Sequence, residues 1–124
     1  MKTCILIIDD EVDFTFFVKK NLEATGKFDV LVANDGAQGI QRARQLRPNA
    51  ILLDVMMSGM PGAEVATELQ KYDETKKIPV IFLTALVREA ETAKQSHEIG
   101  GHLFVAKPVK IDELVKTIAK MTAV

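Results

Sequence analysis

Four short, unbroken apolar runs constrain this chain more than any other feature: Cys4-Ile5-Leu6-Ile7-Ile8, Ala50-Ile51-Leu52-Leu53, Val80-Ile81-Phe82-Leu83 and Leu103-Phe104-Val105-Ala106. A strand with one wet face alternates apolar and polar residues. A run that does not alternate must be covered on both faces, as parallel strands are when helices lie above and below the sheet. A fifth, more alternating run, Phe28-Asp29-Val30-Leu31-Val32, follows the first. The five runs begin near residues 4, 28, 50, 79 and 102, at spacings of roughly 22 to 29 residues, which leaves room each time for a strand, a helix and two short loops. Between them the period becomes helical: Phe14, Phe17, Val18 and Leu22 share a face, as do Val65, Leu69 and Tyr72, and Ile111, Leu114, Val115 and Ile118. Residues 37–46 carry Ile40 and Leu46, with Arg47-Pro48-Asn49 as a stop. Residues 88–98 are predicted to form the least anchored helix, because Ala90 and Ala93 are their only apolar side chains. The pattern is an α/β fold, a (βα)5 doubly wound five-stranded parallel sheet.

Composition narrows the class further. The 124 residues are 48% hydrophobic, which suits one domain spanning 1–124 with an ordinary core. Sixteen Lys and Arg against seventeen Asp and Glu leave a net charge of −1, so a chain-wide basic footprint for direct nucleic-acid or anionic-membrane binding is excluded. Arg42, Arg44 and Arg47 read as a solvated helix face. The one cysteine, Cys4, lies inside an apolar run and cannot form an intrachain disulfide, as expected of a cytoplasmic protein. The longest apolar run is too short for a membrane span or a signal-peptide core.

Polar residues gather where the apolar runs stop: Asp9 and Asp10, Asp54, Thr84 and Lys107. In an open parallel sheet the ligand crevice lies outside these carboxyl ends. A single aspartate there suffices to cap a helix, but three carboxylates, a hydroxyl and an ammonium have separable chemical roles. Clustered carboxylates repel, and a hard cation with oxygen ligands, Mg²⁺, relieves them. A lysine and a threonine can hold phosphoryl oxygens while an aspartate acts as nucleophile. These are the parts of phosphoryl transfer.

The motifs Ile8-Asp9-Asp10-Glu11, Leu53-Asp54-Val55-Met56-Met57-Ser58-Gly59-Met60-Pro61-Gly62, Leu83-Thr84-Ala85 and Val105-Ala106-Lys107-Pro108 resemble the receiver domain of two-component response regulators, most nearly the free-standing chemotaxis-regulator kind. The resemblance covers essentially the whole chain and implies a flavodoxin-like strand order of 2-1-3-4-5. It implies that Asp54 accepts a phosphoryl group from the phosphohistidine of a sensor histidine kinase or histidine phosphotransfer protein. It further implies that Asp10 binds Mg²⁺ directly, Asp9 largely through water, and Asp54 and the backbone carbonyl of Met56 complete the protein ligands. Thr84 would hydrogen-bond the phosphoryl group, Lys107 would pair with it, and the Lys107–Pro108 bond would be cis. Such a chain is not a conventional enzyme, although it catalyses its own phosphoryl uptake and slow aspartyl-phosphate hydrolysis.

The chain departs from the family pattern at Ser58 and Pro61, in the loop after Asp54, and at Phe104, the switch position together with Thr84, where tyrosine is frequent. Gly100-Gly101-His102 implies a looser turn before the last strand. Met56 and Leu86, flanking the route of a hydrolytic water, are apolar and imply a long-lived acyl phosphate. His97 and His102 are given no phosphotransfer role. Residues 88–98, the strand from 102 and the helix from 111 are expected to form the phosphorylation-dependent face for a downstream protein target or for a homodimer. The glycine signatures of nucleotide sites are absent, and Asp9-Asp10-Glu11 would repel the phosphate of a flavodoxin-type cofactor. The alternative is a receiver-like interaction module that is never phosphorylated; retention of all five site residues argues against it.

Overall fold

The computed structural model describes residues 2–85, 96–99 and 102–122. In chain order they form β1 (Thr3–Ile8), α1 (Val12–Ala24), β2 (Phe28–Ala33), α2 (Gly36–Leu46), β3 (Ala50–Asp54), α3 (Gly62–Leu69), β4 (Val80–Thr84), β5 (Ser96–Ile99), β6 (His102–Ala106) and α4 (Ile111–Thr122). The sheet order is β2-β1-β3-β4-β6-β5. The five strands read from the sequence are all parallel, and counted among themselves they run 2-1-3-4-5.

The central strands bury both faces. In β1, Ile5 and Ile7 point into a layer with Val18 and Leu22 of α1 and Leu114 and Ile118 of α4. Leu6 and Ile8 point the other way, into a layer with Ala43 of α2 and Val65 and Leu69 of α3. This two-sided packing explains why the runs do not alternate. It also holds the carboxyl ends of β1, β3, β4 and β6 at one edge of the molecule.

Several expectations need correction. The helix predicted over 88–98 does not extend to Ser96, His97 and Glu98, whose backbone is the antiparallel strand β5, with Ser96 opposite Val105 and Ile99 opposite His102. The rest of that helix lies outside the described residues. Its sequence offers no apolar stripe to bury, whereas the free edge of β6 offers unpaired backbone groups. In α1, Phe17 is 45% exposed, and Thr15 is buried beside Val18 and Leu22 in its place. Leu46 is exposed too. The α2 helix packs through Gly36, Gly39 and Ala43 instead, and a Cβ on Gly39 would come within 2.6 Å of Ile8. Tyr72 lies beyond the end of α3, its ring 3.9 Å below the Arg44 guanidinium.

Candidate functional site at the carboxyl edge of the sheet

Each site residue sits where a strand ends and is held there by one more ladder hydrogen bond. Asp9 N–H donates to the Ala33 carbonyl at 3.1 Å, Val55 N–H, next to Asp54, to Leu83 at 3.0 Å, and Lys107 N–H to Thr84 at 2.9 Å. Asn34 at the end of β2 donates its side-chain amide to the Asp9 carbonyl at 2.8 Å. With these backbones fixed, the side chains converge. Lys107 Nζ lies 2.7 Å from Asp9 Oδ2, 2.8 Å from Glu11 Oε1 and 3.4 Å from Asp54 Oδ1. The Phe14 ring of α1 flanks the same ammonium, 4.4 Å from Nζ to the ring centroid.

The loop after β3 is held as tightly. Met56 N–H points to Asp54 Oδ1 at 3.4 Å, and Gly62 N–H donates to the Val55 carbonyl at 3.0 Å. At Gly62 a Cβ would collide with the carbonyl oxygen of Asp54, so only glycine lets α3 begin this close to the strand end. Asp10 turns from the cluster to this loop, its Oδ2 accepting from Ser58 N–H at 2.9 Å. Thr84 is buried at the end of β4, in register with Ala106. Phe104, opposite Phe82 in the ladder, is half-buried and stacks on it at 5.1 Å. The Lys107–Pro108 peptide bond is cis.

Burial of charge dominates the electrostatics. Burial pushes the Asp9 carboxyl up from its ordinary pKa against the pull of Lys107. Asp54 is raised by burial first and by the Asp9 charge second. Burial works against the Lys107 ammonium, but its bonds to Asp9 and Glu11 outweigh that and raise its pKa well above the ordinary lysine value. Asp9 Oδ2 is fully buried and faces Lys107 as an ion pair, with no well-angled hydrogen-bond donor. Carboxylate oxygens of Asp9, Glu11 and Asp54 all lie within 4.8 Å of one another. Three carboxylates gathered in an all-oxygen cluster, one of them fully buried and balanced only by a single ammonium, fit a hard divalent cation such as Mg²⁺.

Asp9, Asp54 and Lys107 thus meet as the sequence indicated, while Asp10 points to Ser58. Phe14 packs against the core as its helical spacing indicates, but neither its contact with Lys107, nor that of Glu11, nor the close approach at Gly62 was expected from the sequence. Glu11 stood in plain sight as the third acid of Asp9-Asp10-Glu11, but the direction of its side chain depends on where α1 starts. No helix among the described residues is long and apolar enough to cross a membrane.

The family described as Response regulator receiver domain matches residues 5–119 of this chain. Protein PilH of Pseudomonas aeruginosa is 34% identical over 119 residues, covering 96% of this chain and 97% of that protein. The DNA-binding dual master transcriptional regulator RpaA of Synechocystis is 36% identical over 114 residues, covering 92% of this chain but 46% of RpaA. The chain therefore spans all but the ends of one relative and less than half of another. Among solved structures, the receiver domain of the sensor histidine kinase PA1611 of P. aeruginosa, with a magnesium ion coordinated in its active site cleft, aligns over the full length of both chains. The TM-score is 0.83, and at 24% identity the likeness is one of fold.

Proposed function

The chain belongs to the response regulator receiver domains of two-component signalling, and from that premise we propose that Asp54 is the residue that takes up the phosphoryl group. The observation that carries this is the meeting of Asp54 with Lys107 and Asp9 at the carboxyl edge of the sheet. A carboxylate oxygen of Asp54 attacks the phosphorus of a phosphohistidine on a sensor histidine kinase or phosphotransfer protein. The new P–O bond forms as the P–N bond breaks and the imidazole leaves. Burial and the Asp9 charge make the Asp54 carboxylate more basic than usual, which favours the attack. The Lys107 ammonium pairs with a phosphoryl oxygen, and the Thr84 hydroxyl donates to another. Mg²⁺ would be held by Asp9, Asp54, the carbonyl of Met56 and Asp10, whose carboxylate in this structure accepts from Ser58 N–H, and would supply positive charge against the phosphoryl oxygens.

The readout runs along β4 and β6. Thr84 and Phe82 lie two residues apart on one strand, and Phe104 stacks on Phe82, so a movement of Thr84 toward a phosphorylated Asp54 bears on the Phe104 ring. The face made by β6 and α4 is the phosphorylation-dependent surface for a downstream protein or a second copy of the chain. A cytoplasmic site of action suits the free Cys4. Intact mass after incubation with acetyl phosphate and Mg²⁺ tests the acceptor: the chain should gain one phosphoryl group, and Asp54→Asn none. Equal uptake by that variant would refute the assignment, and no uptake by either protein would favour an unphosphorylated interaction module.

A further inference from the structure

We propose that Glu11 is a latch on Lys107, a positioning residue that keeps the ammonium from closing fully on Asp54 until a phosphoryl group arrives; this rests on Asp54 being the acceptor. An ammonium has three N–H donors. Two short contacts, to Asp9 at 2.7 Å and Glu11 at 2.8 Å, leave Asp54 the longest of the three at 3.4 Å. Glu11 is the N-cap residue of α1, yet its side chain makes no cap hydrogen bond. Its backbone is fixed from both sides, donating to Asp9 Oδ1 at 2.9 Å and accepting from Thr15 N–H at 3.1 Å. Glutamate is a poor N-cap, so from this anchored base its carboxylate is left to reach across to Lys107. Phe14, one turn further along α1, presents its ring to the same ammonium. The start of α1 thus grips the lysine twice.

The grip is built to yield. The Glu11 side chain is 63% exposed while that of Lys107 is 12% exposed, and a pair open to solvent on one side is weak. The buried partner, Asp9, keeps the lysine in the site when Glu11 lets go. Moving Lys107 onto a phosphoryl group on Asp54 therefore costs the contacts to Glu11 and the Phe14 ring while the one to Asp9 is kept, and Glu11, the charged member of that grip, sets how readily the lysine engages.

Glu11→Gln and Glu11→Asp test this together. Glutamine removes the charge. Aspartate keeps it but is one methylene shorter, and as a strong N-cap it turns to the first N–H groups of α1. In metal-free protein, NMR should show the Lys107 ε-methylene protons losing their ring-current shift from Phe14 in both variants. With Mg²⁺ present, both should bind beryllofluoride about threefold tighter than the parent chain, the effect expected for losing one exposed ion pair. If Glu11→Gln binds tighter but Glu11→Asp matches the parent, charge alone acts and the latch is overturned. A tenfold loss of Mg²⁺ affinity in either variant would make Glu11 a metal ligand and overturn it equally. Failure of the parent chain to bind beryllofluoride or take up phosphoryl would instead overturn the acceptor reading, and the ring-current measurement would still decide whether Glu11 holds Lys107.

Discussion

Ile5, Leu6, Ile7 and Ile8 of β1 and the Asp9 that follows them are equally inaccessible to solvent, yet burial has opposite consequences for the two. Each aliphatic side chain removed from water stabilises the fold by about 1.5–3 kcal/mol. For Asp9, burial disfavours the charged form, and Lys107 only partly offsets the cost. The same change of character falls in β3, between Leu53 and Asp54. The sheet interior is therefore optimised for stability and its carboxyl edge for chemistry, with the boundary one residue wide.

The largest effect expected from this contrast lies in the interior. Leu52 is fully buried in the layer covered by α1 and α4, and Leu52→Ala should lower stability by about 2–5 kcal/mol in urea unfolding. A loss under 1 kcal/mol would mean that the interior is less tightly packed than its burial indicates. At the carboxyl edge the intolerance is to added volume: Gly62→Ala places a methyl group against the Asp54 carbonyl and should cost about 1–3 kcal/mol. It should also slow phosphoryl uptake, because the residue that moves is Asp54, the proposed acceptor. Unchanged stability and uptake would show that α3 can retreat without disturbing Asp54.

The smallest effect has the opposite sign. In metal-free protein at neutral pH, Asp54→Asn should raise stability by about 1 kcal/mol, since it removes a buried charge that Asp9 repels while Lys107 keeps Asp9 and Glu11 as partners. Asp54 has a raised pKa in the folded state, so its ionisation costs stability at pH above that pKa, and the cost vanishes below its unfolded value. The advantage of Asp54→Asn should therefore be full at pH 7 and shrink as the pH falls toward 4. An advantage that grew on acidification would reverse the sign assigned to Asp54. Thermal melts of both proteins in a chelator across that range provide the check.

Much of this was legible in the chain itself. The unbroken runs at Ile5, Ile51, Ile81 and Val105 gave away a sheet buried on both faces, because a strand covered on both sides is apolar at every position. Asp9, Asp54, Thr84 and Lys107 were legible because each ends such a run, and the topology of a parallel sheet brings those ends together wherever they occur in sequence. Helix faces were read less well. Phe17 has the spacing of a core residue and is exposed, while α2 docks through Gly39, a residue without a side chain to mark it. The segment before β6 was read as a helix from spacing, whereas Ser96, His97 and Glu98 pair with the edge of β6, a choice that depends on the partner strand.

What the sequence determined alone was the order of the five parallel strands, with α1, α2, α3 and α4 among them, and the set of groups at the strand ends, since both follow from local polarity and period. Only the tertiary structure decided which group touches which. Lys107 stands 2.8 Å from Glu11 and 3.4 Å from Asp54, Asp10 bonds to Ser58 N–H, and α3 begins at Gly62 because no Cβ there meets the Asp54 carbonyl. Distances that small are fixed by the packing of strands and helices far apart in sequence, and charge–charge and hydrogen-bond energies change steeply over that range.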